Sequence, residues 1–210
     1  MNAVADLATE QDLADRLGRD LTEEEQARAP ALLADASALV RDFTRQDLTA
    51  VADDPIILRP VGMMLRLPQR PVTAVTFVAA VGADGTTTGA LTGWSWDGRD
   101  KVDLSCATPA GSWPLGWRGP GPDTYRVVYS HGYTPVPPGV LAVVCAMVLR
   151  TLLSPSMTAG MVAERIGAYN YQLQQGGGAP GATVVMTAAD EKALARWGPR
   201  RAGMIQVEAG

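Results

Sequence analysis

Histidine occurs once in the 210 residues, at His131, and cysteine twice, at Cys106 and Cys145. A metal centre needs several converging ligands, and an activated nucleophile needs an oriented base beside it. No H-x-x-E-H or D-x-D spacing supplies either set. Two cysteines make no disulfide framework, and Cys145 lies in an apolar stretch where a free thiol acts as a small hydrophobe. Positive charge is also short. The 18 Lys and Arg residues stand against 22 Asp and Glu, for a net charge of −4, and the pI is about 5.0. A general nucleic-acid binder would show a basic surplus instead. The longest apolar run, residues 140–149, falls short of the roughly 20 residues that cross a bilayer. The opening MNAVADLATEQDLADRLG lacks the basic and apolar regions of a secretory signal. A soluble, intracellular protein is expected. The glycine-rich GGGAPG at 176–181 is not followed by the Lys-Ser/Thr of a phosphate loop.

Hydrophobic residues make up 47% of the chain and charged residues 19%, enough apolar material for one domain, or a small domain with extended arms. The segment TEQDLADRLG offers Thr9 as a helix N-cap, Leu13 and Leu17 on one face and Gly18 as the stop. A second helix opens at Thr22, with Glu25 completing a capping box. Leu32, Ala36, Leu39, Val40 and Phe43 then recur at helical spacing. Pro30 interrupts that helix and is expected to kink or restart it, because it removes a backbone donor and crowds the preceding turn.

From Gln46 to about Ser130 apolar and polar residues alternate, which predicts strands at 72–81, 91–96, 101–104 and 125–130. Asp84-Gly85 and Asp97-Gly98 suit tight hairpin turns. The Gly/Pro-rich stretch ATPAGSWPLGWRGPGPD at 107–123 reads as a long exposed loop, and loops of that length are commonly functional or disordered. Pro137-Pro138-Gly139 opens a third helix, apolar almost all round, that runs to about Leu153. A last short helix starts at Thr187. The tail beyond it holds Arg200 and Arg201 in a basic cluster.

His131 stands where a strand gives way to that third helix, and no nucleophile, base or ligand is spaced to work with it. A histidine that turns the chain, with Tyr133 packed beside it, is the stronger reading. Asp97, Asp100 and Asp103 do not follow a recognised cation-binding loop. Trp94 and Trp96 share one strand face and read as core, whereas Trp113 and Trp117, in the Gly/Pro loop, suit contact with a partner.

The order of parts resembles the head–tail connector proteins (adaptor or head-completion) of long-tailed bacteriophages and gene-transfer particles. The residues that carry the resemblance are LTEEEQARAPALLADASALVRDFT, RLPQRPVTAV, the junction VVYSHGYTPVPPGVLAVVCAMVLRTL, and AERIGAYNYQL, followed by ADEKALARW and its basic tail. Pro30 and the insertion at 108–123 depart from that pattern. The resemblance implies an α+β fold, mainly α: a small helical bundle with an inserted β-hairpin region and an extended C-terminal arm. It divides the chain into a connector core at 1–175, with helices at 9–18, 22–44 and 138–153 and the hairpin region at 56–130. A Gly-rich hinge at 176–186 and a C-terminal helix and tail at 187–210 follow.

The implied function is structural. Subunits would form a ring, twelvefold, beneath the portal at the head–tail junction of the virion, after synthesis in the host cytoplasm. A further connector, stopper or tail protein would lie below, and genomic DNA would pass through the lumen without sequence-specific contact. No cofactor, metal, membrane or catalysis is implied. Portal contact is expected from Lys192, Trp197, Arg200, Arg201, Met204 and Ile205. The tail-side interface is expected from Asp84, Gly85, Trp113, Trp117 and Arg118. Two alternatives are a small binding or hydrolytic domain using the Trp loop with Asp123 and His131, and another connector ring of the stopper or tail-completion kind.

Overall fold

The computed structural model describes residues 5–82, 85–109, 124–154, 163–166, 169–172 and 183–199. The chain divides into two compact units: Met1–Arg45 with Pro138–Gly210, and Gln46–Pro137, inserted between those two stretches.

The first unit carries the helices α1 (Glu10–Leu17), α2 (Glu23–Thr44), α3 (Pro138–Leu152) and α4 (Ala188–Leu194), the last continued by a single 3-10 turn at Ala195–Trp197. The local signals explain their starts. Thr9, Thr22 and Thr187 each accept from the amide three residues on, and Asp12, Glu25 and Asp190 each accept in return from the capping amide. Each exchange satisfies backbone donors that a helix start leaves orphaned. The Arg19 guanidinium, hydrogen-bonded to Glu25, and the Thr22 backbone amide hold that carboxyl down to about 2. Gly18 closes α1 in the left-handed region at φ 69°.

Pro30 lies within α2, which neither ends nor restarts there. It stands on the exposed side, so its missing donor and ring crowding fall where water can satisfy the freed carbonyl. The buried face of α2 consists of Ala29, Leu32, Leu33, Ala36, Ser37, Val40 and Thr44. It packs on α3, whose buried residues include Val140, Val143, Val144, Cys145, Met147 and Val148. Burial pushes the Cys145 thiol up to about 11, as expected of an inert core thiol. The Leu7 amide donates to the Ser37 hydroxyl at 3.0 Å in the interior, tying the chain before α1 to α2. Among the described residues, no helix is long and apolar enough to cross a membrane.

The inserted unit is all sheet among the described residues. Its strands are β1 (Val51–Leu58), β2 (Met64–Arg66), β3 (Val72–Val81), β4 (Thr87–Thr92), β5 (Ser95–Trp96), β6 (Lys101–Asp103), β7 (Thr108–Pro109) and β8 (Thr124–His131). They form a five-stranded sheet in the order β1-β8-β3-β4-β7 and a three-stranded sheet in the order β2-β6-β5, antiparallel throughout. A hairpin of β9 (Ala163–Ile166) and β10 (Tyr169–Gln172) belongs to the first unit. The fold is therefore α+β with substantial sheet, not mainly α, and the description as a helical bundle with one hairpin region is corrected. The strands at 72–81, 101–104 and 125–130 are found as expected, whereas β2 and β7 are only two or three residues long and, with β1, escape a sequence reading because their pairing is non-local.

One hydrophobic cluster joins the two sheets of the inserted unit. Leu65, Val102 and Leu104 meet Val78, Val127 and Tyr129, with Trp94 and Trp96 packed against it. Strand β8 shows why: Tyr125, Val127, Tyr129 and His131 are buried at alternate positions, the period that puts one face of a strand inward. The 91–96 stretch is divided, β4 ending at Thr92 and β5 starting at Ser95. Gly93, at φ 77°, makes the break, and a Cβ there would stand 2.4 Å from the Cys106 carbonyl oxygen.

Candidate interaction surfaces

Strand β8 hands the chain toward α3 at His131 and Gly132. His131 is 2% exposed. Its Nε2 lies 3.2 Å from Asp54 Oδ2 in β1, and its ring stacks obliquely on Tyr129, with centroids 4.9 Å apart. The histidine is thus a polar tie between β8 and its neighbouring edge strand. Asp54 is a partner that the sequence does not reveal, because it lies 77 positions away in a strand disguised by Pro55. The ring beside His131 is Tyr129; Tyr133 is half-buried. Burial pushes the Tyr129 phenol up to about 12, with the charges of Asp54 and Asp47 adding to it. The Gln69 backbone offsets this only in part, and among the described residues the buried hydroxyl has no partner in good hydrogen-bonding geometry.

Gly132 has φ 91°, and a Cβ there would lie 1.9 Å from the Thr49 carbonyl oxygen. Its own amide donates to the Pro71 carbonyl at 2.9 Å. The junction is locked by backbone on both sides. Asp123, its suggested companion, lies outside the described residues.

The three aspartates of the 97–103 hairpin are occupied with the chain itself. Asp97 Oδ1 accepts from the amides of Arg99 and Lys101 at 2.8 and 3.1 Å. Asp100 pairs with Arg66 at 3.5 Å, and Asp103 Oδ1 accepts from the Ser105 amide at 2.8 Å. These are turn-forming roles that Asp takes readily. Among the described residues no group of three His, Cys, Asp or Glu side chains could hold a metal ion.

Of the expected portal-facing residues, Lys192 is exposed on α4. Trp197 is turned inward: a Cβ on Gly139 would come within 2.8 Å of its ring, so the indole fills the space that a glycine leaves at the start of α3. Arg196 stacks on the same indole at 4.0 Å from the ring centroid, a cation–π contact. Arg200, Arg201, Met204 and Ile205 lie outside the described residues, as do Asp84, Trp113, Trp117 and Arg118 of the tail-side set. Gly85 is exposed at the β3–β4 turn, at φ 79°.

Arg150 on α3 reaches Asp190 Oδ2 at 2.5 Å and thereby fastens α4 to α3. Burial alone would raise the Asp190 carboxyl. The hydrogen bonds from Thr187 and from the Arg150 guanidinium outweigh it and hold the group below its ordinary value.

The sequence reading passes over one surface entirely. Between β1 and β2 the chain reads IILRPVGMM, and Ile57 is 60%, Val61 83%, Met63 52% and Met64 37% exposed. An isolated exposed apolar residue is ordinary, but four within eight positions are a patch. A period-two search overlooks it because Pro60 and Gly62 break the alternation.

No protein-family model matches the chain, and no curated protein does. Solved structures do. The chain is similar to one in the neck of an empty GTA particle, computed with C6 symmetry, at 20% identity and a TM-score of 0.58, covering 96% of this chain and 94% of that one. It is similar also to a chain in the virion of a native gene transfer agent (GTA) particle, at 19% identity and a TM-score of 0.52, covering 91% and 88%. The shared property is the fold, over nearly the full length of both partners.

Proposed function

We propose that this chain is a structural subunit of the neck of a phage-like particle: a head-to-tail adaptor that forms a ring below the portal at the head–tail junction. It joins the DNA-filled capsid to the tail and lets DNA pass. The observation that carries this reading is the likeness of fold to a neck chain over 96% of the sequence, with 94% of the neck chain covered in return. A likeness confined to the helices or to the sheets would leave the other unit unexplained; this one spans both. The residue chemistry agrees. The one histidine is a buried strut, and the aspartates that might have gathered a cation hold turns. A net charge of −4 suits a channel that repels the DNA backbone and lets it slide.

The ring is twelvefold in this reading, with the portal above and a stopper or tail protein below. The last helix and tail, through Lys192, Arg200, Arg201, Met204 and Ile205, face the portal. Trp197 anchors that arm to its own subunit and meets the portal at most through its edge. Asp84, Gly85, Trp113, Trp117 and Arg118 face the tail.

The test is co-expression with the portal protein of the same particle, followed by electron microscopy of the purified complex. A ring of this chain on the portal is expected, and truncation after Gly198 is expected to leave a folded protein that no longer co-purifies. Unchanged binding of the truncated chain overturns the portal-face assignment. A His131→Ala variant that stays folded while losing turnover of a small molecule would sink the structural reading as a whole.

A further inference from the structure

The exposed tip between β1 and β2 has a charge as well as an apolar character. Residues 58–70, LRPVGMMLRLPQR, contain three arginines and no acidic residue. Arg59 is exposed next to Val61; Arg66 is engaged with Asp100. The exposed surface of Ile57, Val61, Met63 and Met64 comes to roughly 400 Å², at the size where an apolar patch on a soluble protein marks a contact.

The other unit holds the complement. Residues 1–45 carry ten acidic and five basic side chains. On α2, Leu39 is 36% exposed and lies one turn from Asp35 and Asp42, both exposed. Spacings of four and three put these residues on one face. One surface is apolar with exposed Arg59 on the Val61 side and Asp103 across from Met64, and the other is an apolar centre between two negative charges.

We infer that the β1–β2 tip of one copy docks on the Asp35–Leu39–Asp42 face of α2 in the next copy of the same chain. The inference rests on the ring reading above and supplies its subunit contact. A closed ring requires two different patches on every copy, each meeting the other on a neighbour, and these two differ in the way that makes them complementary. Val61 and Met63 cover Leu39, and Arg59 reaches the two carboxylates. The patch provides about half of the roughly 800 Å² that one side of a standard interface buries, so neighbouring surface completes the contact. Tip-to-tip pairing is disfavoured, since it would bring arginine against arginine.

The test uses the full chain with Cys106, the exposed thiol, replaced by Ser. Val61→Cys and Leu39→Cys are introduced together, and the protein is oxidised at high concentration and run on a non-reducing gel, with sedimentation in parallel. A ladder of covalent multimers is expected from the double variant and none from either single variant. Arg59→Asp is expected to weaken assembly at least about tenfold, and Asp35→Arg with Asp42→Arg is expected to restore it. Val61 and Arg59 are exposed, so neither change threatens the fold. Rings that form without a ladder overturn this contact and leave the ring reading intact. Covalent dimers from Val61→Cys alone overturn it in favour of a two-fold tip contact, and capture of the tip by some other protein only, with no self-association, overturns it too. A wild-type chain that stays monomeric both alone and with the portal defeats the ring reading itself.

Discussion

Gly132 shows how little freedom the strand-to-helix junction has. Its φ of 91° lies where L side chains are strained, and the Thr49 carbonyl oxygen occupies the place where a Cβ would go, at 1.9 Å. Strain and overlap act together, and no flexible side chain can move aside because the obstacle is backbone. Gly132→Ala is therefore expected to cost about 3 kcal/mol or more, the sum of a left-handed residue and an overpacked contact. Thermal or urea unfolding measures it, and a loss under about 1 kcal/mol would mean that the junction yields more easily than its geometry implies. His131 next door was legible as architecture because its sequence neighbourhood held no base or nucleophile. What it is architecture for was not legible, since Asp54 is brought to it only by the pairing of β1 with β8.

At the scale of elements, legibility follows locality. The starts of α1, α2 and α4 could be read from Thr9, Thr22 and Thr187, because a capping box is complete within four residues. Strand β3 was legible as well, its ten residues falling on the expected 72–81. Strand β1 was not, for Pro55 sits within it and Asp53 is at φ 50°. Proline is tolerated there because β1 is an edge of the five-stranded sheet and need not donate on both sides. Helix α4 contributes a prediction with a definite pH dependence. The Asp190 carboxyl, held below its ordinary 3.8 by Thr187 and Arg150 despite burial, stabilises the fold fully above the unfolded value. That contribution is lost as pH falls through the lower folded value. Asp190→Asn is expected to cost about 1–2 kcal/mol near neutral pH, the size of a lost cap with a charged hydrogen bond. The gap to wild type should begin to narrow below about pH 4, the unfolded value, and close only as pH falls through the depressed folded value, where the aspartate becomes neutral in the folded protein too. Melting temperatures of both proteins across that range decide it, and a gap independent of pH would show that the charge contributes nothing.

The chain as a whole carries one unit inserted in the sequence of another, and this accounts for both the underestimated share of sheet and the unnoticed surface. Residues Gln46–Pro137 lie in sequence between the two stretches of the helical unit. A linear reading finds four of the inserted unit's strands, at 72–81, 91–96, 101–104 and 125–130, but misses β1, β2 and β7 and so counts too little sheet. Its described strands make sense only together, because the buried cluster draws three side chains each from β3 and β8 and single ones from β2, β4 and β6. No single segment holds enough apolar residues to announce that core, and the residues that do not fit it, Val61 and Met63 among them, remain outside as the patch. A unit with its own core and both sheets paired internally should not need the helices in order to fold. Residues 46–137 expressed alone are accordingly expected to give a β-type circular dichroism spectrum and one cooperative unfolding transition. The tip should stay accessible in that fragment, with Val61→Cys labelled by a thiol reagent as fast as an unfolded control. A fragment that unfolds without cooperativity would mean that its core depends on the helical unit, and that the chain is divided less deeply than its contacts indicate.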